Sequence, residues 1–302
     1  MVTPWDFVDL FHFLNLTDPA IGLSGVASIT KYRHGEKNKD GAVVMPASHG
    51  VAQSQLYGGL QRALKISPKK QLPPRFFLPE FGTEPFFAAG IARAYNNRAS
   101  PDELRDVMRL RVAAGVTPAA RAVAHAEQFF GIDCNAFVGN YLGVSPNFAI
   151  FSYVDGYGNA AKIPGASADI YASRSAIPLA QHTDPNSVKC GDVLVNFNVK
   201  AKLKWVHIAL IQSWTYTPPK NGAKQGTAVL TIGEWGGDDS GSPHKSGEKT
   251  VEVLTGKFIP GYSRSFVGYK ADNGDFKVVL NSFKLRNSYN PRGWDVANTE
   301  GI

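Results

Sequence analysis

One of the two cysteines in this sequence has surroundings that could make it a nucleophile. Cys134 follows Gly131, which ends one predicted helix, and the apolar spacing after it predicts that the next helix begins there. Unpaired backbone N–H groups and the positive end of the helix dipole stabilise a thiolate in such a position. The same N–H groups could bind the oxyanion that forms when a thiolate attacks a carbonyl carbon. The position therefore predicts nucleophilic catalysis at Cys134.

A nucleophilic cysteine needs a base, and His207 is the best candidate among the seven histidines. It lies inside the apolar stretch Trp205–Ile211, which predicts a strand, so a polar ring there must find a partner. The next predicted strand ends at Glu234, whose carboxylate could orient the imidazole as a third member. Three further residues stay open for that third role: Asp238, Asp239 and His244.

Each of these residues also has a purely structural interpretation. A lone cysteine on a helix is most often a small buried apolar residue, and a lone histidine in a strand is most often part of the core. Glu234 could be a surface carboxylate at a strand end, and Cys190, beside a turn without an obvious base, is interpreted as structural. The occurrence of Cys134 and His207 together in these settings favours catalysis.

The elements that must position these residues are predicted to be helices first and strands afterwards. A capping-box pattern at Ser100–Glu103 predicts a helix to about Ala114, and a second helix is predicted over Ala119–Phe130. This order of elements predicts the α+β class. Strands are predicted over Val193–Phe197, Trp205–Trp214, Thr227–Glu234, Lys249–Leu254 and Phe276–Phe283.

The first hundred residues offer fewer signals. A short amphipathic helix is predicted over Trp5–Leu16, and residues 17–100 are predicted to be irregular and rich in turns. The region has few long periodic segments from which to build its own core. We therefore expect residues 1–100 to form an extension that packs on the helices at 101–130. The aromatic residues to be buried in this way include Trp5, Phe76, Phe77, Phe86 and Phe87.

Composition and charge limit the classes of protein to which the chain can belong. Of its 302 residues 43% are hydrophobic and 19% are charged, which is typical of a folded protein with a large core. The net charge of +7 favours anionic partners. The basic runs Lys65–Lys70 and Lys200–Lys204 lack interleaved aromatic residues, so no nucleic-acid partner is expected. Neither cysteine lies in a metal-binding pattern, so no metal or cofactor is expected.

Neither a targeting peptide nor a membrane span is predicted. The amino terminus has no early basic segment, carries Asp6 and Asp9, and lacks an uninterrupted apolar run, so it does not predict a signal peptide. No stretch reaches the roughly 18 apolar residues that a membrane-spanning helix needs.

Three segments resemble the NlpC-like and CHAP-type cysteine peptidases and amidases. Gly131–Val138 resembles their nucleophile motif, in which an Asp-Cys pair opens a helix. Cys190–Leu194 resembles their Gly-Asp strand start, and Val206–Ala209 resembles their base-bearing strand. Glu234 matches the acidic third residue of the CHAP branch in type and order. The resemblance covers roughly residues 117–240.

This resemblance implies a papain-like core, with helices followed by an antiparallel sheet, in a cysteine amidase or peptidase domain at 101–302. Asn135 stands where the family has a small serine. The span along the chain from Cys134 to His207 is longer than in the compact members of the family. The longer span predicts an insertion at 145–185 that could line the cleft and set specificity.

The resemblance further implies hydrolysis of amide bonds in bacterial peptidoglycan by Cys134, His207 and Glu234. Without a signal peptide, such an enzyme would reach the periplasm or cell wall by a specialised export route, as an antibacterial toxin or a lysin. Its partners could then include an immunity protein or secretion machinery. A second hypothesis keeps the three residues but assigns a deamidase or acyltransferase that acts on a protein or lipid. A third is a non-catalytic wall-binding module in which Cys134 is inert.

Overall fold

A computed structural model of the chain divides into two compact units. Of the residues that the structure describes, those up to Val8 and those from Cys134 to Ser282 belong to the first unit, and those from Asp9 to Asp133 belong to the second. The predicted insertion lies largely outside the described residues, as do Asp238, Asp239 and the last residue of the final predicted strand. The described residues are 2–31, 36–37, 43–44, 46–144, 146, 150–155, 179–200, 205–220, 222–235 and 243–282.

Helices dominate the first half of the described chain and strands the second half. The α-helices are α1 (Pro4–His12), α2 (Ala47–Ala63), α3 (Ala88–Tyr95), α4 (Pro101–Ala113), α5 (Ala122–Phe129), α6 (Cys134–Leu142) and α7 (Ile150–Asp155). Short strands in the first half are β1 (Leu14–Asn15), β2 (Val26–Ala27), β3 (Glu36–Lys37), β4 (Val43–Val44), β5 (Arg75–Phe76) and β6 (Phe86–Phe87). Those of the second half are β7 (Ala180–Gln181), β8 (Val193–Phe197), β9 (Trp205–Thr217), β10 (Thr227–Trp235), β11 (Pro243–Lys245), β12 (Lys249–Glu252), β13 (Leu254–Gly256), β14 (Phe266–Lys270) and β15 (Phe276–Asn281).

The main sheet lies in the first unit, and the strand pairs within it are antiparallel. Its order is β11-β10-β9-β8-β15-β14-β13, with β12 also paired to β10 and β7 to β15, which makes nine strands in the described part of the chain. Strand β8 coincides with its predicted range, and β9 and β10 begin at their predicted residues. The α+β class predicted from the sequence is confirmed.

One face of this sheet carries an apolar core. Side chains alternate along a strand, so residues two positions apart share a face. By this rule His207 shares the face of Ala209, and Glu234 shares the face of Ile232. The register therefore directs both polar side chains to the face that carries the core. Its buried members include Leu194, Ala209, Ile211, Ala228, Leu230, Val251, Val267, Tyr269 and Val279.

Residues 2–8 complete the first unit by packing on α6 and β10. The ring of Phe7 lies 5.2 Å from the ring of Phe137, centroid to centroid. The indole Nε1 of Trp5 donates a hydrogen bond of 3.0 Å to the backbone carbonyl of Ile232. The amino-terminal segment thus contacts the helix that begins at the candidate nucleophile and the strand that ends near the candidate third member.

In the second unit, α4 begins with the capping box that the sequence predicted. The Ser100 hydroxyl accepts a hydrogen bond of 3.3 Å from the backbone N–H of Glu103, and the Glu103 carboxylate accepts one of 2.9 Å from the backbone N–H of Ser100. Glu103 also forms a buried ion pair with Arg93 of α3. The cap satisfies donors that the first turn of a helix leaves unpaired, which fixes where α4 starts.

Residues 17–100 are less irregular than the sequence predicted, because α2 and α3 lie within them. The prediction of an irregular region was wrong because α2 has only a weak apolar periodicity. Its buried face is built partly from small and polar residues. The buried residues of α2 are His49, Ala52, Leu56, Gly59 and Leu60. The helix predicted over Trp5–Leu16 ends at His12, because Leu14 pairs with Ala27 as a strand.

The aromatic residues of the first hundred positions differ in burial. Phe86 is buried, and the guanidinium of Arg109 in α4 lies 5.4 Å from the centre of its ring, as expected for docking on the helices after residue 100. Phe77 was expected to be buried but is 45% exposed. Helices α4 and α5 belong to the same compact unit as residues 9–100. The division into an extension at 1–100 and a domain at 101–302 stays a prediction.

Candidate active site

Cys134 is the first residue of α6, at the position that the sequence predicted for it. Its side chain is buried, and its sulfur lies 3.6 Å from the Oδ1 atom of Asn135. The residue before it, Asp133, forms a two-pronged ion pair with Arg98, with N–O distances of 3.0 and 2.9 Å. Backbone N–H groups at the start of a helix are the kind of donor that can stabilise an oxyanion beside such a thiol.

His207 lies in β9, opposite Asn196 of β8, and its side chain is 12% exposed. Cys134 lies close enough to the ring to raise the pKa of His207. The Nε2 atom of the ring lies 2.8 Å from the Oε2 atom of Glu234.

The surroundings of His207 favour the protonated ring. Burial by itself would lower the pKa, but the hydrogen bonds and charges of Cys134 and Glu234 outweigh burial and raise the pKa of His207 to about 9. A proton taken from the thiol therefore has a stable position on this imidazole.

Glu234 is a buried carboxylate whose two oxygens contact two different imidazoles. Its Oε2 atom lies 2.8 Å from Nε2 of His207, and its Oε1 atom lies 2.8 Å from Nε2 of His244. Burial would raise the pKa of Glu234, but the hydrogen bonds with His207 and His244 lower it well below its ordinary value. Glu234 is thus held as a carboxylate, the form that can stabilise a protonated imidazole.

The structure brings together the three residues that the sequence singled out. Cys134, His207 and Glu234 lie next to one another in that order, and we call them the thiol series. Of the alternatives for the third role, His244 contacts Glu234, whereas Asp238 and Asp239 lie outside the described residues. The arrangement can deprotonate the thiol, attack a carbonyl carbon and return a proton to a leaving group.

The Gly-Asp turn before β8 is a second buried polar group of the first unit. The carboxylate of Asp192 accepts hydrogen bonds from the backbone N–H groups of Lys189 (2.8 Å) and Ser282 (3.0 Å). Its Oδ2 atom also lies 2.8 Å from Nε2 of His182, and Nδ1 of His182 lies 2.6 Å from the hydroxyl of Ser187. This group fixes the start of β8, the neighbour of the strand that carries His207.

Sequence reasoning missed two of the residues that shape these groups and gave a third a different role. His182 and Ser282 are far from any recognised motif, and they meet Asp192 only in the folded chain. His244 was considered as an alternative to Glu234 but not as its partner. The signal for that partnership was available, because a turn-rich stretch between Glu234 and His244 is typical of a hairpin whose arms pair.

Three further features of the described residues are the second cysteine, the arrangement of possible metal ligands and the length of the helices. Cys190 is a partly exposed cysteine outside any disulfide, in the turn before β8, and its structural role stays a prediction. Within the described ranges, no group of three or more His, Cys, Asp or Glu side chains is arranged to hold a metal ion. None of the helices described is both long enough and apolar enough to span a bilayer.

Comparison of the chain with protein-family models, with curated proteins and with solved structures found no match. The resemblance to NlpC-like and CHAP-type enzymes stays a prediction that rests on the three sequence segments given above. The contacts of the thiol series are therefore the main support for a function.

Proposed function

We propose that the chain is a cysteine amidase or peptidase with a papain-like core, in which Cys134 is the nucleophile, His207 the base and Glu234 the third member. The observation that carries the proposal is the thiol series itself. It joins a cysteine at a helix start to an imidazole that is held by a buried carboxylate. Each contact has the chemistry that activation of a thiol requires.

In the proposed reaction the proton of the Cys134 thiol has already passed to His207 when the sulfur, as a thiolate, attacks the carbonyl carbon of an amide. The carbonyl oxygen becomes an oxyanion, which the backbone N–H groups at the start of α6 stabilise. The carbon–nitrogen bond then breaks, and the protonated His207 gives its proton to the departing amine. Water, deprotonated by His207, attacks the thioester and releases the acid and the thiol.

For the substrate we propose the amide bonds of bacterial peptidoglycan, within the stem peptide or between peptide and sugar. The support is the resemblance of the three segments and a net charge of +7, which suits an anionic polymer. An enzyme of this kind would act in the periplasm or cell wall after export by a specialised route, as an antibacterial toxin or a lysin.

The decisive experiment is digestion of purified peptidoglycan, with mass spectrometry of the released muropeptides. Wild-type protein should release new peptide or amine ends, and Cys134→Ala should lower the rate at least about a thousandfold because the nucleophile is lost. Cys190→Ala is the matched control and should keep most of the activity. Equal losses in both variants, with folding intact, would contradict the assignment of Cys134.

The same digestion separates the proposal from its alternatives. Release of ammonia from glutamine side chains of a test protein, with peptidoglycan left intact, would favour a deamidase. Binding of the wild-type protein to peptidoglycan without any cleavage would favour a wall-binding module.

A further inference from the structure

Glu234 contacts a second imidazole, and this contact points to a residue that the proposed reaction does not use. His244 lies across from Glu234 on the neighbouring strand, and its Nε2 atom is 2.8 Å from the Oε1 atom of that carboxylate. We propose that His244 is a positioning residue, which holds the Glu234 carboxylate so that its other oxygen orients His207. The inference rests on the function proposed above, because it assumes that His207 serves Cys134.

A carboxylate at the end of a glutamate side chain is not oriented by its own torsion angle. The last torsion of glutamate is broad, so the plane of the carboxylate is set by hydrogen bonds to its two oxygens. Glu234 has one such bond on each oxygen, to His207 and to His244. Loss of the His244 bond would leave the carboxylate plane held only by the imidazole that it is meant to orient.

Burial makes the second hydrogen bond costly to remove. The Glu234 side chain is 8% exposed, and a buried carboxylate oxygen without a donor is strongly unfavourable. The carboxylate would then rotate towards another donor or take up a proton. Either change would weaken its hold on His207 and hence on the proton that His207 accepts from Cys134.

Ser246, which directly follows β11, helps to hold His244 in place. The backbone N–H of Ser246 donates to the carbonyl of Ile232 at 2.9 Å, and the backbone N–H of Ile232 donates to the Ser246 hydroxyl at 2.8 Å. Together with the pairing of β11 and β10, these bonds fix the register that sets His244 opposite Glu234. The side chain of His244 is 29% exposed, more than those of His207 and Glu234. His244 therefore lies on the solvent side of the carboxylate.

The test measures how fast Cys134 reacts with iodoacetamide, because this reading needs no knowledge of the substrate. At about pH 6 an ordinary thiol is almost fully protonated, so rapid alkylation reports a thiolate sustained by its neighbours. Peptide mapping by mass spectrometry reads Cys134 separately from Cys190. The variants are His244→Leu, which cannot donate a hydrogen bond, and His244→Gln, which can.

We expect His244→Leu to lower the alkylation rate of Cys134 about tenfold, a loss like that of other supporting hydrogen bonds around a reactive group. His244→Gln should stay within about threefold of wild type, since its amide N–H can replace the imidazole donor. Lys245→Ala, one position along the same strand, is the matched control and should react like wild type. In a Glu234→Gln background, His244→Leu should have little further effect, because the two residues act as a unit.

Each outcome bears on the role of His244, on the proposed function, or on both. Rapid alkylation of wild type with an unchanged rate in His244→Leu would overturn the role of His244 and leave the proposed function standing. Equal losses in His244→Leu and His244→Gln would also overturn it, because a donor would then not be what matters. Wild-type Cys134 reacting no faster than glutathione would overturn the proposed function and this inference together. If His244→Leu does not fold, His244→Ala takes its place in the same comparison.

Discussion

Two buried histidine–carboxylate pairs in the first unit have the same distance but different surroundings. His207 with Glu234, and His182 with Asp192, each have a ring nitrogen 2.8 Å from a carboxylate oxygen. Asp192 also accepts backbone N–H groups on both of its oxygens, whereas Glu234 contacts a second imidazole.

The far side of each ring differs as well. Beyond His182 lies the hydroxyl of Ser187, which itself donates to the backbone carbonyl of Asp184 at 2.6 Å. Beyond His207 lies the thiol of Cys134. A histidine–carboxylate pair therefore does not by itself indicate catalysis. A pair tied to the backbone fixes a turn, whereas a pair that ends at a nucleophile can move a proton.

The largest effect should separate the two histidines. We expect His207→Ala to lower the rate of amide hydrolysis at least about a thousandfold, nearly as much as loss of the cysteine, because nucleophile and base act as a unit. His182→Ala should keep the rate within about threefold but lower the free energy of unfolding by about 3 kcal/mol, since it leaves Asp192 buried without its partner. Steady-state kinetics and urea unfolding measure the two effects.

Residual activity in His207→Ala can contradict the assignment of His207 as the base. If His207→Ala retains more than about a tenth of the wild-type rate, a loss of less than about 1.4 kcal/mol in transition-state stabilisation, another residue is the base. If His182→Ala abolishes hydrolysis while it remains folded, the distinction between the two pairs is wrong.

A smaller effect should separate the two carboxylates. Glu234→Gln should lower kcat about 10- to 100-fold, because glutamine can still bond the imidazole but cannot stabilise its charged form as a carboxylate does. The free energy of unfolding of Glu234→Gln should change little. Asp192→Asn should do the reverse, with kcat preserved and unfolding easier, because asparagine offers a single acceptor oxygen to the donors that surround Asp192. A loss of kcat that is larger in Asp192→Asn than in Glu234→Gln would reverse the assignments.

The smallest effect is a shift in pH dependence. The raised pKa of His207 means that kcat/KM should fall as the pH rises through about 9, where the ring loses its proton. For the same reason its contribution to stability is complete below the ordinary value of 6.5 and is lost between 6.5 and about 9. Glu234→Gln should move the alkaline limb of the kcat/KM profile to lower pH, because the carboxylate is among the groups that hold the proton on His207.

Asp192→Asn is the control for this shift, since Asp192 belongs to the other pair. Its alkaline limb should coincide with that of wild type. A limb that moves equally in Asp192→Asn and Glu234→Gln would mean that the shift reports general loosening of the sheet and not the loss of one carboxylate.

Local signals in the sequence were sufficient for the elements that carry the thiol series. The apolar stretch around His207 depends on neighbours within a few residues and was predicted correctly as a strand. The capping box at Ser100–Glu103, in the other unit, was predicted correctly for the same reason. The break at Gly131 placed Cys134 at a helix start for the same reason. Such features follow from backbone propensity and periodicity, which the sequence shows directly.

Features that depend on distant partners were beyond these signals. Helix α2 has a buried face with small and polar residues, and only the rest of the second unit makes that face internal. The donors to Asp192 are far apart in sequence, with Ser282 joining His182 only when β15 pairs with β8. No local pattern specifies a contact between segments that meet only in the folded chain.

The contacts of residues 2–8 with α6 and β10 have a consequence for synthesis on the ribosome. Trp5 is translated more than two hundred residues before its hydrogen-bond acceptor in β10, Ile232. Residues 9–133, which belong to the other compact unit, are translated before that point. The segment at 2–8 can therefore make its contacts with β10 only after the ribosome has added that strand. Cys134 and Glu234 likewise meet only once Glu234 has been translated, so nascent chains that stop earlier lack the thiol series.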